Sequence, residues 1–247
     1  MKTTGNTMLI TGGSAGIGLE MARQFVALGN KVIITGRDGE RLKKAAAELG
    51  NVTAINSDVS DAKSVESLVN RITTEFPELN VLINNAGRAD IHHLADGNQK
   101  AYKIASSEME TNYLSVVRLT EKLLPVLTAQ KEAAVVNVSS IVAFVPTQHL
   151  PTYGATKAAL HSYTKSLRLA LRDSSVKVFE LMPPLVNTAL SAAIGGENGI
   201  APSVLVDDLV NAFGADRFEV RTGQTEDIYR LSLANPEQAL LVMNGLS

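Results

Sequence analysis

Short apolar runs alternate with longer helix-like segments from one end of this chain to the other, and that rhythm restricts the fold more than any single motif. The runs fall at 8–11, 31–36, 51–58, 81–87, 134–140, 177–182 and 218–222. Several are continuously apolar rather than alternating, the pattern of strands covered on both faces. Helical periodicity lies near 16–28, 38–49, 61–76, 106–129, 153–172 and 204–214. A repeated strand–helix–strand unit closes through right-handed crossovers into a parallel sheet with helices on both sides.

The expectation is an α/β chain with one Rossmann-type, doubly wound parallel sheet of about seven strands, flanked by helices. No repeat, low-complexity tract or linker divides it, so residues 1–247 read as one domain. The least regular stretches are 88–105 and 187–203. The second mixes Leu190, Ile194 and small residues with Gly195 and Gly196, which suits a mobile loop covering a substrate. In such sheets ligands sit beyond the carboxyl ends of the strands, where every motif considered below falls.

Composition removes several classes of function. A net charge of −2 and no basic cluster give nucleic acid no footprint, and the absence of tryptophan disfavours base-stacking platforms. Without cysteine there can be no disulfide, thiol nucleophile or thiolate metal site. Adjacent His92 and His93 lack the i, i+4 spacing of a zinc helix, so no metal is expected. No apolar stretch is long enough for a membrane span, and a soluble, cytoplasmic protein is the expectation.

Thr11-Gly12-Gly13-Ser14-Ala15-Gly16-Ile17-Gly18 follows the first strand and opens the first helix. Glycines there permit a tight turn and let backbone N–H groups approach a pyrophosphate at a helix N-terminus. The spacing differs from the commoner G-x-G-x-x-G, and alone it would be weak; its place in a strand–turn–helix gives it weight. The second strand ends in Thr35-Gly36-Arg37-Asp38, where an acidic residue would otherwise grip an adenosine ribose. Arg37 can pair with a 2′-phosphate, which favours NADP(H) over NAD(H), and Asp38 is placed to cap the next helix.

Tyr153 and Lys157 stand four apart at the start of a helical stretch and so share a face. A free phenol has a pKa of about 10, and lowering it by about 3 units needs roughly 4 kcal/mol of preference for the phenolate. The Lys157 cation is expected to supply part of that. Ser139 or Ser140, ending the preceding strand, can donate to a substrate oxygen that gains negative charge.

Taken together, T-G-x3-G-x-G at 11–18, Asn84-Asn85-Ala86-Gly87, Asn112, Ser140 and Tyr153-x3-Lys157 resemble the short-chain dehydrogenase/reductase family in order and spacing. The resemblance implies that Ser140 orients substrate, Tyr153 is the acid/base and Lys157 binds the nicotinamide ribose. It implies that Asn112 distorts its helix and helps hold a water behind Lys157. It places Gly12, Ser14, Gly16, Ile17, Gly18, Asp58, Val59, Asn85, Ala86, Gly87, Pro183, Val186 and Thr188 on the cofactor, and Asn84 near its adenosine side. Asn84–Gly87 also reads as a turn that braces the sheet. Pro184 departs from the family's usual Pro-Gly and lacks an N–H. Met182-Pro183-Pro184-Leu185-Val186-Asn187-Thr188, with the Met243-Asn244-Gly245 ending, is similar to a bacterial DltE-like subgroup, which names no substrate.

The leading expectation is hydride transfer between a nicotinamide cofactor and a small carbonyl or secondary alcohol. A nucleotide-sugar epimerase would need a larger C-terminal domain. A non-catalytic NADP(H) sensor would have no use for Asn112, Ser140, Tyr153 and Lys157 together. Leu119, Leu123, Leu167 and Leu171 exceed what a sheet face requires, and the resemblance implies a homodimer or homotetramer built on those helices.

Overall fold

Each of the seven apolar runs contributes a strand to one sheet. In the computed structural model, which describes residues 1–97 and 100–246, these are β1 (Thr7–Ile10), β2 (Lys31–Gly36), β3 (Val52–Asn56), β4 (Val81–Asn84), β5 (Ala133–Val138), β6 (Val176–Met182) and β7 (Glu219–Arg221). Every neighbouring pair is parallel, in the order β3-β2-β1-β4-β5-β6-β7. The chain starts at the centre, winds outward to β3, returns to β4 and winds the other way. Connections from β1 and β4 therefore leave in opposite directions, which opens a crevice at their carboxyl ends.

Helices α1 (Gly16–Ala27), α2 (Gly39–Leu49), α3 (Ala62–Glu75), α4 (Ala101–Met109), α5 (Ser115–Thr128), α6 (Pro151–Ala170), α7 (Pro202–Ala215), α8 (Gln224–Ala234) and α9 (Pro236–Met243) surround the sheet. The continuous apolar runs split by parity. Met8, Ile10, Val32, Ile34 and Val136 pack against α1, α2 and α7, while Leu9, Ile33, Leu82 and Val135 pack against α3 and α5. Near the carboxyl ends the second face turns polar. Asn84, Asn137 and Glu180 stand in register on three adjacent strands. Asn84 donates to Asn137 Oδ1 at 2.9 Å, and Asn137 donates to Thr164 Oγ1 on α6 at 2.9 Å.

Departures from the sequence reading have local causes. β4 and β5 end at Asn84 and Val138, short of the runs read in the sequence; residues 85–87 and 139–140 lie beyond the strand ends and wall the crevice. The helix read at 106–129 is α4 and α5 joined by a π-helical turn, Glu110–Leu114. Stretch 88–105 holds a 3₁₀ turn (Leu94–Asp96) and the start of α4, with Asn98 and Gln99 outside the described residues. Helices α8 and α9 were not anticipated. Asn235, whose side chain accepts from the Gln238 N–H, followed by Pro236 and Glu237, is the start signal that marks α9. Among the described residues no helix is long and apolar enough to cross a membrane.

Candidate active site

The strand ends open into a cleft of about 670 Å³. Its first half is built from the turns after β1 to β4. Gly12 adopts φ 67°, and a Cβ there would stand 3.0 Å from Ala86 Cα, so the turn and the Asn85–Gly87 segment close on each other. Thr11 Oγ1 locks them together, accepting from the Asn85 and Ala86 N–H groups at 3.0 Å each. Asn85 Nδ2 in turn donates to Thr11 O at 2.9 Å.

Helix α1 begins here with Ala15 as its cap residue and no side-chain cap, whereas Asp38 and Asp61 cap α2 and α3. Its first N–H groups are thus left for a bound anion. Ser14, Gly16, Ile17, Asp58, Val59 and Arg37 line the same half. So does Arg41, which the sequence reading missed. Both guanidinium groups are exposed and make no ion pair among the described residues. An uncapped helix end, a glycine cradle and two free cations fit a phosphorylated dinucleotide.

Three of the predicted residues stand behind the wall instead of on it. A Cβ on Gly18 would lie 2.4 Å from Gly12 O and 2.5 Å from Asn85 Nδ2, so this glycine serves helix–turn packing. Gly18→Ala must displace backbone, at a cost of about 1–3 kcal/mol. The expected result is a melting temperature lower by several degrees and weaker dinucleotide binding, read by thermal denaturation and calorimetric titration. Asn112, fully buried in the π-helical turn, accepts from the Arg88 N–H at 2.8 Å and donates to Arg88 O at 2.8 Å and Thr156 Oγ1 at 3.0 Å. Asn84 is spent on Thr120 and Asn137 and stays in the sheet layer.

The second half of the cleft brings Ser140, Tyr153 and Lys157 together. Ser140 ends the β5 segment in extended backbone (φ −174°), its hydroxyl accepting from the Val142 N–H at 3.3 Å on the same cleft wall as Tyr153. Pro151 in the first turn of α6 starts the helix just ahead of Tyr153. One turn later Lys157 Nζ donates to Val138 O at 2.8 Å and lies 5.5 Å from the centre of the Tyr153 ring. Pro183, Pro184, Leu185, Val186 and Thr188 form the opposite wall. Pro183 O accepts from the Ile141 N–H at 2.9 Å, a bond that needs no N–H from Pro184. His149 and Met243, the latter from α9, reach the substrate end.

The electrostatics differ from the simple expectation that Lys157 acidifies the phenol. The Tyr153 ring packs with Ile141, Val142, Ile228 and Ala239. That burial pushes the phenol up to about 12; contact with Ser140 opposes the rise and the Glu108 carboxylate adds to it. Lys157 is itself brought down to about 8 by burial, with Glu180 pulling the other way. Desolvation outweighs the Lys157–Tyr153 attraction in the free chain. Glu108, fully buried, accepts from the Asp90 N–H at 2.8 Å and from Thr152 Oγ1 at 2.6 Å.

A doubly wound sheet with a dinucleotide cradle and a Ser–Tyr–Lys wall defines an oxidoreductase class, and comparison with known proteins agrees. Residues 6–198 match the short chain dehydrogenase family model, and the chain belongs to that family. It is 44% identical over 200 residues to the uncharacterized oxidoreductase DltE of Bacillus subtilis, covering 81% of this chain and 79% of the relative. Serine 3-dehydrogenase of Agrobacterium fabrum is 36% identical over 215 residues, 83% of this chain and 85% of that one. A short chain dehydrogenase from Burkholderia cenocepacia, crystallised in complex with NADP, superposes with a TM-score of 0.87 at 25% identity over 98% of both chains.

Proposed function

We propose that this chain is an NADP(H)-dependent carbonyl reductase that also oxidises the corresponding secondary alcohol. The observation that carries the reading is the convergence of Ser140, Tyr153 and Lys157 on one wall of the cleft whose other half is the dinucleotide cradle. Gly12, Gly16 and the α1 N-terminus would hold the pyrophosphate, Asp58 and Val59 the adenine, and Val186 and Thr188 the nicotinamide side. Arg37 and Arg41 would take the 2′-phosphate, which makes NADP(H) the preferred form over NAD(H). A reduced nicotinamide bound there supplies the hydride.

Ser140 donates to the substrate oxygen and fixes the carbonyl. Tyr153 then gives its phenol proton to that oxygen as negative charge develops. A phenol near 12 is protonated throughout the neutral range, which suits the reductive direction. Lys157 holds the ribose hydroxyls and offsets the phenolate left behind. Asn112 would brace the Arg88 backbone and Thr156 beside Lys157. Residues 187–203 would form the cover: Val186 and Ile200 pair at its base, and Leu190 and Ile194 turn exposed apolar side chains toward the cleft. A small carbonyl with an apolar substituent suits that lining. A cytoplasmic homodimer or homotetramer completes the reading, but Leu119, Leu123, Leu167 and Leu171, read in the sequence as surplus to the sheet face, pack with the sheet instead. A sensor is disfavoured, since binding alone gives the Ser140–Tyr153–Lys157 wall nothing to do.

Purified protein should oxidise NADPH with members of an aldehyde and ketone panel and do so faster than NADH. Inertness with the whole panel under both cofactors would remove the proposal. The reductive rate should be flat from about pH 6 and fall as pH rises through about 8, where Lys157 loses its proton. A rate that instead climbs across pH 8 would contradict the role given to the Lys157 cation.

A further inference from the structure

Lys157 is the only Lys or Arg side chain buried among the described residues, and the buried carboxylates are Glu108 and Glu180. An ammonium in such a layer is unstable as a cation unless another charge compensates it. Glu108 is engaged on the α4 side by Asp90 N–H and Thr152. Glu180 has no place in the chemistry described above, although it is fully buried in the layer that holds Lys157. It sits on β6 directly opposite Asn137, the residue before Val138, whose carbonyl anchors Lys157 Nζ. Its two carboxylate oxygens lie 3.0 and 2.9 Å from His161 Nδ1, in hydrogen-bonding contact with it. His161 is four residues beyond Lys157, on the same face of α6. Its ring is fixed edge-on against Phe144 at 5.0 Å between centroids.

We propose that Glu180, clamped by His161, is a positioning residue: its carboxylate is the internal counter-charge that keeps Lys157 a cation between sheet and helix. The assignment rests on the catalytic reading for its effect on turnover, though not for its electrostatics. The groups facing Lys157 can be named. Among the described residues, Tyr153 and His161 lie on α6 and Glu180 on β6, the Val138 carbonyl of β5 accepts from Nζ, and the Glu108 carboxylate on α4 acts on Tyr153. Glu219, opposite Glu180 on β7, is neutralised by Arg168 and Arg221 and adds little. Glu180 alone opposes the burial that lowers the Lys157 pKa.

Glu180→Gln keeps the shape and deletes the charge. In the free protein, with ¹³C-labelled lysine and the Lys157 signal identified by its loss in Lys157→Arg, the Lys157 midpoint near 8 should fall by about one pH unit or more. The basic limb of the reductive rate should move with it, so relative to the wild type the variant loses about fivefold more activity at pH 8 than at pH 6. His161→Gln, whose amide can still donate to the carboxylate, should keep the wild-type midpoint. If Glu180→Gln does not fold, Glu180→Leu/His161→Phe removes both polar partners at once and should lower the midpoint in the same way. A Lys157 midpoint and rate limb unmoved in either folded charge-deleted protein, whatever its melting temperature, overturns the proposal. The titration needs no turnover: inertness with every carbonyl fails the functional reading, whereas an unmoved midpoint fails this one.

Discussion

Tyr153→Phe should fold and bind dinucleotide as the wild type does, yet reduce carbonyls about 10²–10⁴-fold more slowly. The substitution deletes one oxygen from a ring held among Ile141, Val142, Ile228 and Ala239, so packing is preserved. What disappears is the group proposed above to give a proton to the substrate oxygen beside Ser140. The loss, about 3–5 kcal/mol of barrier, should appear in kcat, because the phenol acts as charge develops and not in holding the ground state. Single-turnover rates with NADPH make the comparison directly. Undiminished turnover in the variant would show that the proton comes from elsewhere.

The second large effect concerns the other half of the cleft. Arg37→Ala/Arg41→Ala should weaken NADPH binding by about 10- to 100-fold while NADH affinity changes by less than about threefold. Both guanidinium groups line the cleft, stand exposed and lack an acidic partner among the described residues, so their removal breaks no ion pair there. Charge-assisted contacts to a phosphate are worth about 1.5–3 kcal/mol each at best, and exposure keeps them near the lower end. Calorimetric titration with the two cofactors gives the ratio. Equal losses for both forms would move the arginines from phosphate recognition to general structure.

The seven-stranded sheet was legible because both of its faces are covered. Residues such as Met8, Leu9 and Ile10 are all fully buried, so the strand shows as an unbroken apolar run. That Arg37, Ser140, Tyr153 and Lys157 share one cleft was legible from their places at strand ends and at one helical spacing. Arg41 was not: it lies in the first turn of a polar helix, where arginine is ordinary, and the cleft shows which way it faces. Glu180 was hidden within the apolar Val-Phe-Glu-Leu-Met run, where a charge reads as an anomaly until His161 is seen beneath it. Helices α8 and α9 bury few residues, Thr225, Ile228 and Ala239, and so leave a faint periodic trace. Their contribution to the pocket through Met243 is a long-range contact that no local pattern carries.

The wide turn between α4 and α5 has a consequence for how this scaffold tolerates deletion. Each residue of regular helix advances the chain by about 100°. Removing one residue from 110–114 would tidy the backbone into a continuous α-helix, and local energetics would favour it. The wide turn spends one extra residue on the same rotation, so α4 and α5 would keep their facing and Glu108 its place by Thr152, while the turn itself would tighten and leave the Arg88 peptide without the clasp of Asn112. A change that perfects the helix would thus unhook the loop that walls the reaction chamber, and such a variant should be sturdier in one segment and inert as a whole.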